Sequence, residues 1–287
     1  TPPYYFKILN SKNIGMLLNN NTNNEFLDNI IKIYNPDLVI AAEPKNINSY
    51  VCEETTIDNN KVFLYRSKTN NIKTKTDTKI MLSTSGSTGS VKFVRLSNKN
   101  VNANAKSISE YLEISESERA ITSLPINYSF GLSIINSHLF VGASIILTEE
   151  SLIQKRFWEI FNKYKATTFS GVPYTYQMLQ RINFSKMELP SLRYFTQAGG
   201  HLVSSVKKYF YDVAKDKSYK FIVMYGQTEA TARISYVPFE KLNEKIDSMG
   251  IAIPDGIISI DTPLGETIGE LVYEGPNVML GYAENRE

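Results

Sequence analysis

The sequence predicts an α/β fold in which parallel sheets are flanked by helices in two similar lobes, followed by a β-rich subdomain. Three observations carry that expectation. Short apolar runs of strand length alternate with stretches whose apolar residues recur every three or four positions, as expected of buried strands under amphipathic helices. After Tyr225 the helical spacing stops, and short β-branched runs are separated by Pro and Gly. At 287 residues, 42% hydrophobic and 21% charged, the chain can also bury a large core.

The elements follow in order. Asn19 to Asn24 is Asn-rich and reads as a loop. Beyond it Phe26, Ile30, Ile33 and Tyr34 share one helical face, and Pro36 ends that helix. Leu38 to Ala41 reads as a buried strand. Arg66 to Lys79 is polar and reads as a surface loop leading into strand Ile80 to Leu82. Its basic residues (Arg66, Lys68, Lys73, Lys75, Lys79) are diluted by Asn, Thr and Asp, as in a solvated linker. Ser97 caps a helix with the apolar face Val101, Ala105, Ile108 and Leu112. Ala120 to Leu124 is a strand, Gly131 to Phe140 a buried helix and Ser144 to Leu147 a strand. Ser151 and Gln154 have capping-box spacing for a helix with Ile153, Phe157, Ile160 and Tyr164 inward. Thr167 to Phe169, Arg193 to Thr196 and Phe221 to Met224 read as strands, separated by helices near Tyr174 to Arg181 and Val203 to Val213. Ile234 to Val237, Ile257 to Asp261 and Gly269 to Tyr273 are the strands of the β-rich part. The two units therefore divide into residues 1–230 and 231–287.

Composition narrows the function. A formal net charge of +2 argues for neither nucleic acid nor an anionic membrane as partner. The single cysteine, Cys52, excludes an internal disulfide framework and a Cys-based zinc site, and it suits a reducing, cytoplasmic compartment. Only His138 and His201 could serve a catalytic Cys, and their settings read as structural. No apolar run reaches membrane-span length; the nearest, Ile121 to Leu147, is broken by Pro125, Asn127, Ser129, Asn136 and His138.

Two motifs carry chemistry. Thr84-Ser85-Gly86-Ser87-Thr88-Gly89-Ser90-Val91-Lys92 follows the strand Ile80 to Leu82. Its glycines let backbone N–H groups converge on phosphate oxygens, its hydroxyls add neutral donors, and Lys92 adds a mobile positive charge. The Walker spacing is absent. The second motif, Tyr225-Gly226-Gln227-Thr228-Glu229, follows the strand Phe221 to Met224, and loops after parallel strands are where open α/β sheets bind ligands. Thr228 offers a hydroxyl to a phosphate, Glu229 a hard oxygen to Mg²⁺, and Tyr225 a flat face to a base.

Together these motifs resemble the adenylate-forming superfamily of acyl-CoA synthetases, peptide-synthetase adenylation domains and firefly-type luciferases. Further segments match in order over nearly all of the chain. Leu124-Pro125 through Gly131-Leu132 is similar to the family's Leu-Pro…Gly-Leu segment, and Leu192-Arg193 through Ala198-Gly199-Gly200-His201-Leu202 to its Leu-Arg…Gly-Gly segment. Gly269-Glu270-Leu271 with Gly275-Pro276-Asn277-Val278-Met279 and Gly281-Tyr282 is similar to its Gly-Glu-Leu…Gly-Tyr segment. The resemblance implies ATP and Mg²⁺, a small-molecule carboxylic acid, and CoA or the phosphopantetheine of an acyl carrier protein as thiol acceptor. It implies that Thr84, Ser85, Gly86, Ser87, Thr88, Gly89 and Lys92 handle the β- and γ-phosphates. Tyr225, Gly226 and the backbone of Ala198, Gly199 and Gly200 bracket adenine; Thr228 touches the α-phosphate and Glu229 holds the metal. Lys92, Thr228 and Glu229 are thus the catalytic candidates, and Tyr128, Ser129, Phe130, Val172 and Pro173 line the acid pocket.

Departures from the family pattern are Val91-Lys92-Phe93 in place of Pro-Lys-Gly, and Tyr128 where acyl-CoA synthetases carry His. Against the family the first unit is incomplete at its start and the second truncated, ending before the ribose-binding Asp and the small C-terminal domain. The expectation is a fragment incomplete for turnover. An amino-acid adenylation domain and a non-catalytic binder of nucleotide or acyl-adenylate are the alternatives. Amino-acid-activating relatives place an Asp near Tyr128 to Ser133, but Ile121 to Leu147 contains no Asp, Glu, Lys or Arg. An acyl or aryl acid without an α-ammonium group is therefore expected, since a buried ammonium needs a carboxylate partner.

Overall fold

The computed structural model describes residues 2–47, 49–57, 60–69, 76–84, 92–263 and 265–286. Its opening third contains α1 (Pro2–Leu9), β1 (Gly15–Leu17), α2 (Asn24–Tyr34), β2 (Leu38–Ala41), β3 (Tyr50–Ile57), β4 (Asn60–Ser67) and β5 (Thr78–Ser83). Asn23 caps α2 by accepting from the Phe26 N–H, and Asn35, left-handed at φ 38°, stops it just before Pro36. The buried face is Leu27, Ile30 and Tyr34, whereas Ile33 is 48% exposed. Ile30 and Tyr34 face the core as expected and Phe26 packs against it partly buried, with Leu27 joining them in place of Ile33. Strand β2 is not buried: Leu38 and Ile40 are each 39% exposed. It is the edge of an antiparallel sheet, β2-β4-β3, so the apolar run that reads as a core strand faces solvent on one side.

Strand β6 (Phe93–Ser97) runs straight into α3 (Asn98–Tyr111). Ser97 does cap this helix: its Oγ accepts from the Asn100 N–H at 3.1 Å, and Asn100 Oδ1 accepts from the Ser97 N–H at 2.9 Å. Val101, Ala105 and Ile108 are buried on the expected face.

From β7 (Arg119–Ile121) the chain winds through α4 (Ser129–Phe140), β8 (Ser144–Ile146), α5 (Lys155–Lys163), β9 (Thr168–Gly171), α6 (Pro173–Arg181), β10 (Tyr194–Gln197), α7 (Ser204–Asp216) and β11 (Lys220–Tyr225). The five strands lie parallel in the order β11-β10-β9-β7-β8. Their core is rich in aromatic rings, including Phe157, Phe161, Phe195 and Phe221, each buried completely; Phe169 and Phe195 stack at 5.3 Å. Helix α5 starts later than its sequence signal. Gln154 Oε1 accepts from the Ser151 N–H, closing a turn, but neither side chain caps the helix. Phe157 is buried and Ile160 packs against the core as expected, while Trp158 and Phe161 turn inward in place of Ile153, 43% exposed, and Tyr164, 48% exposed.

The remaining elements are β12 (Ser235–Val237), α8 (Phe239–Leu242), β13 (Ile251–Ala252), β14 (Ile257–Asp261), β15 (Glu270–Glu274) and β16 (Gly281–Ala283). They are dispersed among sheets. Strand β12 pairs antiparallel with β11, and β13 with β12, which completes a seven-stranded sheet. Strand β16 pairs antiparallel with β6 in a mixed four-stranded sheet, β1-β5-β6-β16, where only β1 and β5 are parallel. Only β14 and β15 form a hairpin of their own. No helix among the described residues is long and apolar enough to cross a membrane.

Candidate active site

The ends of the β5–β6 loop, the loops after β7, β9, β10 and β11, the segment 275–280 and strand β16 come together where the two large sheets meet. The Ser/Thr/Gly-rich segment joins β5 to β6, and its ends are held together by the Thr84 N–H donating to the Lys92 carbonyl at 3.2 Å. Ser85, Gly86, Ser87, Thr88 and Gly89, the centre of the expected phosphate loop, lie outside the described residues. Lys92 is exposed, and its Nζ stands 5.2 Å from the ring centroid of Tyr282. The pairing of β16 with β6 brings the ring there, with Tyr282 opposite Val94.

Tyr282 links this corner to the second motif. Its hydroxyl donates to Glu229 Oε1 at 2.8 Å, and that carboxylate raises the phenol's pKa by accepting its proton in a hydrogen bond. Glu229 lies in a single 3₁₀ turn, Thr228–Ala230, after β11. A Cβ at Gly226 would overlap the Ala232 carbonyl oxygen, so only glycine allows the chain to fold back so closely. Thr231, at φ 63°, completes the reversal. Asn277, 1% exposed, locks the turn: its Nδ2 donates to the carbonyls of Ala230 and Arg233, both at 2.8 Å, and its own carbonyl accepts from Thr231 Oγ1 at 2.6 Å. The Met279 N–H donates to the Glu229 carbonyl at 2.8 Å. Asn100 Nδ2, at the start of α3, donates to the carbonyls of Pro276 and Val278, which ties the two sheets together here.

On the other side lie the residues expected in the acid pocket. Ser129 and Thr228 are hydrogen-bonded through their hydroxyls at 3.3 Å. Tyr128, ahead of α4, presses its hydroxyl against Gly199, where a Cβ would collide with it; Val172 and Pro173 flank Gly199 and Gly200. Gly199 has φ 79° and Gly200 φ 152°, both glycine conformations, and Gln197 Nε2 donates to the Gly200 carbonyl at 3.0 Å. Ser129, Phe130 and Ala198 are buried, while Tyr225 is 40% exposed at the end of β11.

The sequence reading thus named Lys92, Tyr128, Ser129, Phe130, Val172, Pro173, Ala198, Gly199, Gly200, Tyr225, Gly226, Thr228 and Glu229 from segments that the fold brings together. It missed Arg233, which is 3% exposed, with Cζ 4.1 Å from the Phe130 ring centroid. It quoted Tyr282 and Asn277 only as motif letters. No group of three or more His, Cys, Asp and Glu gathers among the described residues. Glu229 is partly exposed and one of its oxygens accepts from Tyr282; a single carboxylate of this kind is a donor type that could serve a Mg²⁺ ion. His138 is no catalytic base: its Nδ1 lies 2.8 Å from the Ile134 carbonyl, its Nε2 3.1 Å from the Tyr194 hydroxyl, and burial lowers its pKa to about 4.

A family model described as AMP-binding enzyme matches residues 8–283. A 2-succinylbenzoate–CoA ligase of Enterococcus faecalis is 27% identical over 71% of this chain and 42% of the relative. A probable 4-coumarate–CoA ligase of Dictyostelium discoideum is 29% identical over 74% of this chain and 40% of the relative. The chain therefore spans well under half the length of these curated relatives. Among solved structures, o-succinylbenzoate CoA synthetase of Bacillus subtilis, in complex with the acyl-adenylate intermediate, superposes with a TM-score of 0.64. It is 26% identical and covers 74% of this chain and 43% of its own.

Proposed function

This chain belongs to the AMP-binding enzyme family, and from that premise we propose that the protein joins a carboxylic acid to AMP. In the proposed reaction an oxygen of the acid attacks the α-phosphorus of ATP. The bond from that phosphorus to the bridging oxygen breaks, and pyrophosphate leaves with the electron pair. A thiol, of CoA or of a carrier protein, then attacks the acyl carbon and AMP leaves. The acid arrives ionised, so no general base is required, and the barrier is the approach of anion to anion. Alignment and positive charge therefore do most of the work.

The observation that supports this most is the run Lys92, Tyr282, Glu229 and Thr228, drawn together from three distant segments. In the proposal Lys92 meets the departing pyrophosphate with the backbone and hydroxyls of residues 84–89. Thr228 donates to the α-phosphate, with Ser129 behind it. A Mg²⁺ ion held by Glu229 would neutralise phosphate charge when bound. Tyr225 and the Ala198–Gly200 backbone form the adenine slot, with Gly226 allowing close approach. Tyr128, Ser129, Phe130, Val172 and Pro173 face the acid. That acid carries no α-ammonium group: the segment 121–147 offers no carboxylate to pair with an ammonium, and the buried cation Arg233 would repel an ammonium. The single exposed Cys52 supports a reducing, cytoplasmic setting.

Labelled pyrophosphate, in an exchange assay on the full-length protein rather than on residues 1–287 alone, tests the reading. Acids that the protein activates drive its incorporation into ATP with Mg²⁺ present. No incorporation with any of a broad panel of acyl and aryl acids would overturn it.

A further inference from the structure

Tyr282 stands between the two opposite charges of the candidate site, and the strands around it fix it there. Side chains alternate along paired strands, and Tyr282 lies opposite Val94. Lys92, two positions before Val94, shares that face, and its Nζ stands 5.2 Å from the Tyr282 ring centroid. Phe93 and Ala283 turn to the opposite face and are buried there. The backbone that carries the ring is held on both sides. The Leu280 N–H donates to the Arg95 carbonyl at 2.9 Å, and Tyr34 Oη donates to the Ala283 carbonyl at 3.0 Å. Glu229 is tied to the same strand by its own carbonyl, which accepts from the Met279 N–H at 2.8 Å.

Lys92 and Glu229 therefore meet one ring at different places, the lysine at its face and the carboxylate at its hydroxyl, 2.8 Å away. Among the described residues no ion pair joins the two charges. A lysine carries its charge on a flexible stem of four carbons, so only an intervening group keeps Lys92 from swinging onto Glu229. Such a pair would spend the site's cation on the site's own carboxylate. A phosphate would then have to displace that carboxylate before it could bind the lysine. Contact with a ring asks for no such exchange, because it is weaker than a charge-assisted hydrogen bond to phosphate. The phenol hydroxyl is a neutral donor, so it orients Glu229 and leaves its charge in place.

We propose that Tyr282 is a positioning residue that acts as a spacer: its ring prevents an internal ion pair between Lys92 and Glu229, which keeps the lysine available to phosphate. The inference rests on the reading of Lys92 as a phosphate-binding group and adds a residue to it.

Inorganic pyrophosphate, titrated calorimetrically into the full-length protein without divalent cation, reads the effect apart from catalysis. Tyr282→Phe keeps the ring, whereas Tyr282→Val suits a strand but reaches neither charge. Tyr282→Val binds pyrophosphate about fivefold more weakly than Tyr282→Phe, near the upper end for an exposed ion pair, and high salt closes the gap. Glu229→Gln tightens binding in both backgrounds by removing a repelling carboxylate. In Tyr282→Val the gain is about fivefold larger, because the lysine is released as well. Damage to the fold alone would not give this selective rescue. Equal affinity of the two Tyr282 variants, or an equal gain from Glu229→Gln in both, overturns the proposal. Should Tyr282→Val fail to fold, Tyr282→Leu takes its place. Should wild type bind no pyrophosphate, Lys92 loses its phosphate role and urea unfolding decides the spacer separately. Lys92→Met and Glu229→Gln then shift the midpoint additively with Tyr282 present and non-additively in the Tyr282→Val background; additivity in both overturns the proposal.

Discussion

The two sides of the candidate site are made of opposite materials. Around Lys92, Tyr282 and Glu229 the groups are charged or polar and in contact with water, with Tyr282 39% exposed. Around Phe130 and Arg233 the groups are almost wholly buried, at 2% and 3% exposure, and hydroxyls, a neutral imidazole and one cation take the place of ion pairs. Exposed charges are screened over about 10 Å at ordinary salt, so each contact on the wet side is weak and affinity for a polyanion comes from their sum. On the dry side each polar group meets a low dielectric, and one unmatched partner is costly. The wet side is thus suited to a generic phosphate chain, and the dry side to discriminating one acid from another.

Gly226→Ala strikes both sides and should have the largest effect. The added methyl overlaps the Ala232 carbonyl, displacing Thr228 and Glu229 on one side and Arg233 on the other. A loss on the order of 4 kcal/mol is expected, read as a fall in Tm together with loss of exchange activity. A variant of unchanged Tm would mean that the two sides are not joined through this turn.

On the dry side, pH is the probe. His138 has its pKa lowered to about 4 by burial, from an ordinary value of 6.5. The unfolded chain therefore takes up a proton in a range where the folded one does not. Stability is full above about pH 6.5 and falls as the pH drops towards 4, by on the order of 3 kcal/mol in total. Comparing urea unfolding of wild type and His138→Gln across this window isolates the effect. Parallel curves for the two proteins would remove His138 from the account.

On the wet side, Glu229→Gln should cut acid-dependent exchange about a hundredfold and raise the Mg²⁺ concentration needed, with little change in Tm. A variant with unaltered Mg²⁺ dependence would make Glu229 a surface group. The smallest effect is expected from Tyr282→Phe, which removes only the hydrogen bond to Glu229. About 1 kcal/mol, or less than tenfold in rate, is expected, and added salt should shrink the difference further. An effect as large as that of Glu229→Gln would make Tyr282 a partner in the chemistry rather than a support.

What the sequence by itself determined was local. Ser97 announces the start of α3, and the apolar runs near 167, 193 and 221 announce the central parallel strands, because caps and strand cores are written within a few neighbouring residues. The Gly199-Gly200 pair was legible through the family resemblance and Gly226 through its short motif; the structure adds the reasons, positive φ at the pair and the close approach of the Ala232 carbonyl at Gly226. Other features were set only by the tertiary structure. Whether Leu38 to Ala41 meets core or water depends on where its strand lies in the sheet, and β2 is an edge strand with only β4 beside it. Tyr282 reaches Glu229, 53 positions away, only because β16 pairs with β6. Strands 235–237 and 251–252 extend the large sheet rather than founding their own. Arg233 reads as an ordinary polar residue beside an apolar run until the Thr228–Ala230 turn and Phe130 close over it. Periodicity records which face of an element is apolar, whereas burial, pairing and the company a charge keeps are settled by segments that meet only when the chain has folded.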